Sequence, residues 1–152
     1  MILRPETPAD APAIAALLDA AFDGPTESTL VAGLRADKDL TLSLVAEDAG
    51  AVIGHLALSP VVAPFPALAL APVAVAPAHQ GKGIGSALIR RAQALTSDHT
   101  MIVLGDPAYY ARFGFRPVAW QSPYAGPYLQ ATGPHLPPTA TIAHAAAFAR
   151  LG

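Results

Sequence analysis

The chain has 152 residues, of which 53% are hydrophobic and only 13% charged, and its formal net charge is -2. A chain this apolar and this weakly charged is not disordered, and its length suits one domain, residues 1–152. The charge balance excludes a broad basic face for nucleic acid. The lack of cysteine excludes a disulfide framework, a thiolate metal site and a cysteine nucleophile.

The opening Met1–Pro8 has no apolar run behind a basic start, so it is not a secretory signal, and a cytoplasmic protein is expected. Ile2–Arg4 suits a short strand. Thr7, Pro8 and Asp10 predict a helix start, with an N-cap, a first-position proline and a capping acid. Ile14, Leu17, Leu18, Ala21 and Phe22 then share one helical face, and Asp23-Gly24-Pro25 ends the run. Pro12 breaks this pattern, because it leaves a carbonyl of the first turn without its donor. A second helix is expected over 27–36, with Leu30, Val31 and Leu34 inward.

Leu40–Glu47 alternates as a half-buried strand, and Asp48-Ala49-Gly50 turns it into a hairpin partner, Ala51–Ser59. From Leu56 to Ala78 no residue is charged, a length that would suit a membrane span. Pro60, Pro64, Pro66, Pro72 and Pro77 rule that out, at ~3 kcal/mol for each proline inside a helix. No membrane contact is expected. Two buried strands with a proline-rich connection fit better, the second being Leu68–Ala76. A glycine-rich loop follows at 79–85, then a helix over 83–96 with Ile84, Leu88 and Leu95 inward. Thr100–Leu104 reads as a strand, and Asp106, Pro107 and Gly114 bracket a short helix. Strands are expected at Phe115–Val118, Tyr128–Ala131 and Thr139–Ala147, although the alanines at 145–147 suit a helix equally. The order predicts mixed α/β architecture with an antiparallel front half.

The strand, glycine loop and helix together carry the chemistry. Amides at a helix start lack internal partners and lie at the positive end of the dipole, and glycine lets a chain approach an anion closely. Such a loop suits a phosphate. A Walker A loop would need Lys-Ser or Lys-Thr, but Gly83 is followed by Ile84. A Rossmann fingerprint would need glycine or alanine where Ser86 stands, although Asp106 could serve as its ribose acid.

Gln80-Gly81-Lys82-Gly83-Ile84-Gly85 instead fits the Gln/Arg-x-x-Gly-x-Gly/Ala loop of the GNAT superfamily of N-acetyltransferases. The chain resembles that family over nearly its whole length. Leu70–Pro77 is similar to the family's central strand, and Tyr110–Phe115 to its Tyr-x-x-x-Gly-Phe element. Gly105-Asp106-Pro107 and Val52-Ile53-Gly54-His55 resemble a bacterial branch of predicted acetyltransferases. The resemblance implies an acyl-CoA N-acyltransferase fold: a mixed, largely antiparallel central sheet flanked by helices, with its central strands splayed apart. It further implies acetyl-CoA as cosubstrate, the amides of Gly81, Lys82, Gly83, Ile84, Gly85 and Ser86 with Gln80 at its pyrophosphate, and Val73, Ala74 and Val75 along its pantetheine arm. The function it implies is direct acetyl transfer to a primary amine of a small molecule or peptide.

Such transfer poses two proton problems. An alkyl amine of pKa ~10.4 is about one part in a thousand nucleophilic at neutral pH, and the leaving thiolate needs a proton. Tyr110 holds the family's tyrosine position and is the expected acid; packing is its other role, as for Tyr109 and Phe113 at i, i+4. The strand at 68–76 has no ionisable side chain, so the base stays open between Glu27, His55 and a water chain. Ser59, His79 and His144 are weaker candidates, and no spacing supports a metal site. A CoA-binding module without turnover and a Rossmann-type protein are the alternatives. A free edge on a late strand would suit a homodimer.

Overall fold

In the computed structural model, which describes residues 1–151, seven strands form one sheet. They are β1 (Ile2–Pro5), β2 (Leu42–Asp48), β3 (Ala51–Pro60), β4 (Ala67–Val75), β5 (Thr100–Leu104), β6 (Arg116–Pro117) and β7 (Leu129–Thr132). The spatial order is β1-β2-β3-β4-β5-β7-β6. Every neighbouring pair is antiparallel except β4 with β5. This is the mixed, largely antiparallel sheet that the resemblance implied. The helices are α1 (Ala11–Phe22), α2 (Thr26–Ala36), α3 (Ile84–Leu95), α4 (Pro107–Tyr110) and α5 (Ala146–Ala149).

Both faces of the sheet are covered, which corrects the expectation of a half-buried β2. Ser43, Leu44, Val45 and Ala46 are all buried. On one face Ile84, Leu88, Ile89 and Ala92 of α3 pack with Leu44, Leu56, Leu58 and Leu70. On the other, Ile14 and Leu18 of α1 and Val31 of α2 pack with Val45, Ala57 and Ala74. A third cluster joins Ala69, Ile102 and Leu129 to Trp120 and Ile142 from the later loops. Residues 40 and 41 fall outside β2. Leu95, expected inward, is 54% exposed, because it lies in the last turn of α3, beyond Ala92.

The Thr7 start is borne out as a capped 3-10 turn, Pro8–Asp10, in which the Asp10 carboxylate accepts from the Thr7 N–H at 2.6 Å. Pro12 therefore falls in the first turn of α1, where an N–H would have no helical partner. The strand expected at 115–118 shrinks to the two residues of β6. Thr139–Ala147 is not a strand either. Its backbone divides its bonds between Gln121 and Val62, a single bridge to each, and the alanines then enter α5. The late edge expected to suit a dimer is thus β6, one of whose two residues is a proline, a poor template for pairing.

Candidate active site

β4 and β5 pair only over Ala67–Ala69 with Thr100–Ile102. Beyond Ala69 the strands part, and β4 continues for six more residues with β3 as its strand neighbour. A register shift accompanies the parting. Leu56 opposes Val73 while Leu58 opposes Leu70, so Ala57 faces both Ala71 and Pro72, a bulge in β4. Past the bulge the Ala76 N–H donates to the Ile53 carbonyl at 2.8 Å. By the alternation of a strand, Ala74 also faces β3, and Val73 and Val75 turn their peptide groups into the gap. Ala74, expected at the cofactor with its two neighbours, directs its peptide groups to β3 and its methyl under α1.

The gap leads to the loop. The Gln80 side-chain amide donates to the Val75 carbonyl at 3.1 Å and fastens the loop to the end of β4. Gly81 and Gly83 have φ of 80° and 82°, the left-handed region where a side chain is strained. Gly83 caps α3, so the N–H groups of Ile84, Gly85 and Ser86 point out of its first turn. They border a cavity of about 290 Å³ whose walls include Val75, Gln80, Gly81, Gly83, Ser86, Tyr109 and Arg112. Lys82 is exposed and lies outside this wall.

Across the cavity stands α4. The Asp106 carboxylate caps it by accepting from the Ala108 N–H at 3.0 Å, and Pro107 opens it, as the sequence implied. Tyr110 is half-buried, its ring 5.0 Å from that of Tyr109 and 5.6 Å from that of Phe115. Burial, and secondarily Tyr109, push its phenol above the ordinary tyrosine value, which keeps the proton on the oxygen. Gly105 is flush against this ring: any Cβ there would collide with it.

Tyr109 has a larger part than the packing role read from its spacing. Its ring does pack on Phe113, but it also lines the cavity, with its hydroxyl beside Gly85. Arg112, overlooked in the sequence, lies 4.4 Å over the Tyr109 ring and adds a cation to the same wall. It lies in the 3-10 turn that follows α4, Ala111–Phe113, and its spacing three residues after Tyr109 was no signal on its own.

The structure does not bring every candidate together. Glu27 is half-buried in the first turn of α2 and lies off the wall of this cavity. His55 is fully buried on β3 opposite Ala74, with Nε2 2.8 Å from Ser43 Oγ. His79 lines the cavity, Ser59 is buried with its hydroxyl unbonded among the described residues, and His144 packs against Tyr124 and Phe148. Among the described residues no cluster of three His, Cys, Asp or Glu could hold a metal, and no helix is long and apolar enough to cross a membrane.

Comparison with known proteins agrees with this geometry. Residues 39–117, more than half of the chain, match the model of the acetyltransferase (GNAT) domain family. The chain is 42% identical over 122 residues to the uncharacterized N-acetyltransferase YhbS of Escherichia coli K12, covering 76% of this chain and 73% of that protein. A crystal structure of E. coli YhbS in complex with CoA superposes with a TM-score of 0.90 at 33% identity, covering 99% and 93% of the two chains. A GNAT family acetyltransferase from Brucella melitensis in complex with acetyl-CoA superposes with a TM-score of 0.84 at 40% identity, covering 97% of each. The chain that carries these splayed strands, this glycine loop and these tyrosines thus belongs to the GNAT family of N-acetyltransferases.

Proposed function

We propose that the chain transfers the acetyl group of acetyl-CoA directly to a primary amine of a small molecule or peptide. The observation that carries this is the open edge of β4, which runs straight into a glycine-rich helix start. A ligand with amides along an extended arm and a diphosphate at one end matches both. The arm would pair with the peptide groups of Val73 and Val75. The diphosphate would sit on the amides of Gly81–Ser86, with Arg112 as the nearby cation. The acetyl complex of the Brucella melitensis protein supports the same ligand for this chain.

In the reaction the amine nitrogen attacks the thioester carbonyl, a C–N bond forms, and the C–S bond breaks. An N–H of β4 that faces the gap would stabilise the developing oxyanion. Tyr110, held protonated by its burial, would deliver its proton to the departing thiolate, whose conjugate thiol has a pKa near ~8.5.

Calorimetry with acetyl-CoA and with NAD tests the ligand, and turnover across a panel of small primary alkylamines and peptides tests the reaction. Binding of acetyl-CoA alone, with turnover of at least one amine, is expected. Binding without turnover would mark a CoA-binding module, and binding of NAD instead would overturn the assignment. A valine at Gly83 supplies a finer check. No atom lies within 4 Å of a Cβ there, so the cost is backbone strain at a positive φ, about 1–3 kcal/mol. Since that strain falls on the loop, Gly83→Val is expected to weaken acetyl-CoA binding at least about tenfold.

A further inference from the structure

His55 belongs to a chain of polar groups that the reaction above does not use. The Ser43 hydroxyl donates to Glu6, whose carboxylate is gripped by Arg35 through Nε at 3.0 Å and Nη2 at 3.1 Å. A hydroxyl has one proton, and Ser43 gives it to Glu6, so Ser43 Oγ accepts from the Nε2–H of His55 at 2.8 Å. That choice of tautomer leaves Nδ1 with a bare lone pair. Nδ1 is buried and has no partner among the described residues.

The direction of that lone pair follows from the sheet. Ser43 is on β2, to one side of β3, and the two nitrogens of an imidazole look to opposite sides of the ring. Nδ1 therefore faces away from Ser43, and on the other side of β3 the register neighbour of His55 is Ala74, set between Val73 and Val75. Only a methyl group stands at that position. Ile14, Leu18, Val31 and Val45 pack on this face, and the charged groups that bear on the ring are Glu6 and Arg35.

We propose that His55 takes up the proton of the acceptor amine, across one ordered water held at Nδ1, and that Ser43 and Glu6 carry it away. This rests on the acetyl-transfer reaction proposed above. An N–H bond of the amine breaks and the water passes a proton to Nδ1. The imidazole releases its Nε2 proton to Ser43 as Ser43 releases its own to Glu6, and Glu6, partly exposed, returns it to solvent. A buried acceptor without a protein donor calls for a partner, which the proposed water supplies. Burial pushes the imidazole down to about 4, so Nδ1 is free at neutral pH and hands a proton on rather than storing it.

The test compares the wild type with His55→Asn, Ser43→Ala and Glu6→Gln, using acetyl-CoA and the fastest primary alkylamine of the panel. At pH 7 each variant is expected to lose about a hundredfold in kcat with an unchanged Kd for acetyl-CoA. Its rate should then climb about tenfold per pH unit toward the amine's own pKa, ~10.4, where solution supplies the free base, and approach the wild-type rate there. Ser43→Ala keeps the imidazole, so it remains informative if His55→Asn does not fold. Wild-type rates in all variants, or losses equal at every pH as a structural role would give, would overturn the relay while leaving acetyl transfer intact. A wild type that binds acetyl-CoA yet acetylates no amine overturns both.

Discussion

Tyr110→Phe is expected to lower kcat at least tenfold while acetyl-CoA binds almost as before. The substitution removes one oxygen from a ring whose packing against Tyr109 and Phe115 is otherwise kept. The fold therefore has little reason to weaken, and the loss falls on the step in which the thiolate is protonated. Steady-state rates and calorimetry on the same preparation read the two quantities separately. Gly105→Ala should reach a similar result by another route, because its methyl must displace the Tyr110 ring without touching the hydroxyl chemically. An unaltered kcat in Tyr110→Phe would remove the phenol from the mechanism and leave it as a packing residue. Wild-type activity in Gly105→Ala would mean that the ring's position is not critical.

A second large effect is a loss of stability in mild acid. The ordinary imidazole value is 6.5, and burial, opposed in part by Glu6, holds His55 at about 4. Between those values the unfolded chain binds a proton that the folded chain refuses, so stability is full above pH 6.5 and falls as pH drops toward 4. The size is about 3 kcal/mol for this one residue, a large share of the 5–15 kcal/mol typical of a domain. His144, lowered by its own burial, adds in the same direction. Glu6 has the opposite chemistry: burial would raise its carboxyl, but the bonds from Arg35 and Ser43 prevail and hold it low, so its contribution is lost only in stronger acid. Urea unfolding at intervals between pH 7.5 and pH 4.5 measures the slope. His55→Asn should start less stable but fall less steeply. A wild-type curve that stays flat over this range would contradict a buried neutral imidazole at position 55.

Much of this was legible in the residues, because it is local. The glycine loop, the capping residues around Asp106 and the apolar runs of β3 and β4 each announce themselves within a few positions. The resemblance to the GNAT family rested on such short motifs, and of the residues it singled out Gln80 and the glycines line the cavity while Tyr110 packs behind Tyr109. What was hidden needs three dimensions. The parting of β4 from β5 comes with a bulge at Ala71–Pro72 and lies where a distant strand stops pairing. Residues 6, 35, 43 and 55 meet only through tertiary structure, so His55 read as one isolated histidine. Arg112 was hidden for the opposite reason: a surface arginine carries no pattern until the loop across from it is known. The segment 139–147 misled because it meets Gln121 and Val62 by single bridges, with no long partner, and its alanines then turn into α5.

The three-residue seam between β4 and β5 divides the sheet into a slab of four strands and a slab of three. Within the sheet itself they are stitched only at one end, like a book held by the top of its spine. A molecule lodged between the open pages would bond to one and brace the other, finishing architecture that the polypeptide leaves incomplete. Its arrival should slow amide exchange at Val73 and Val75, and also along Val103 and Leu104 across the cleft, converting a binding event into a stiffening of the entire scaffold.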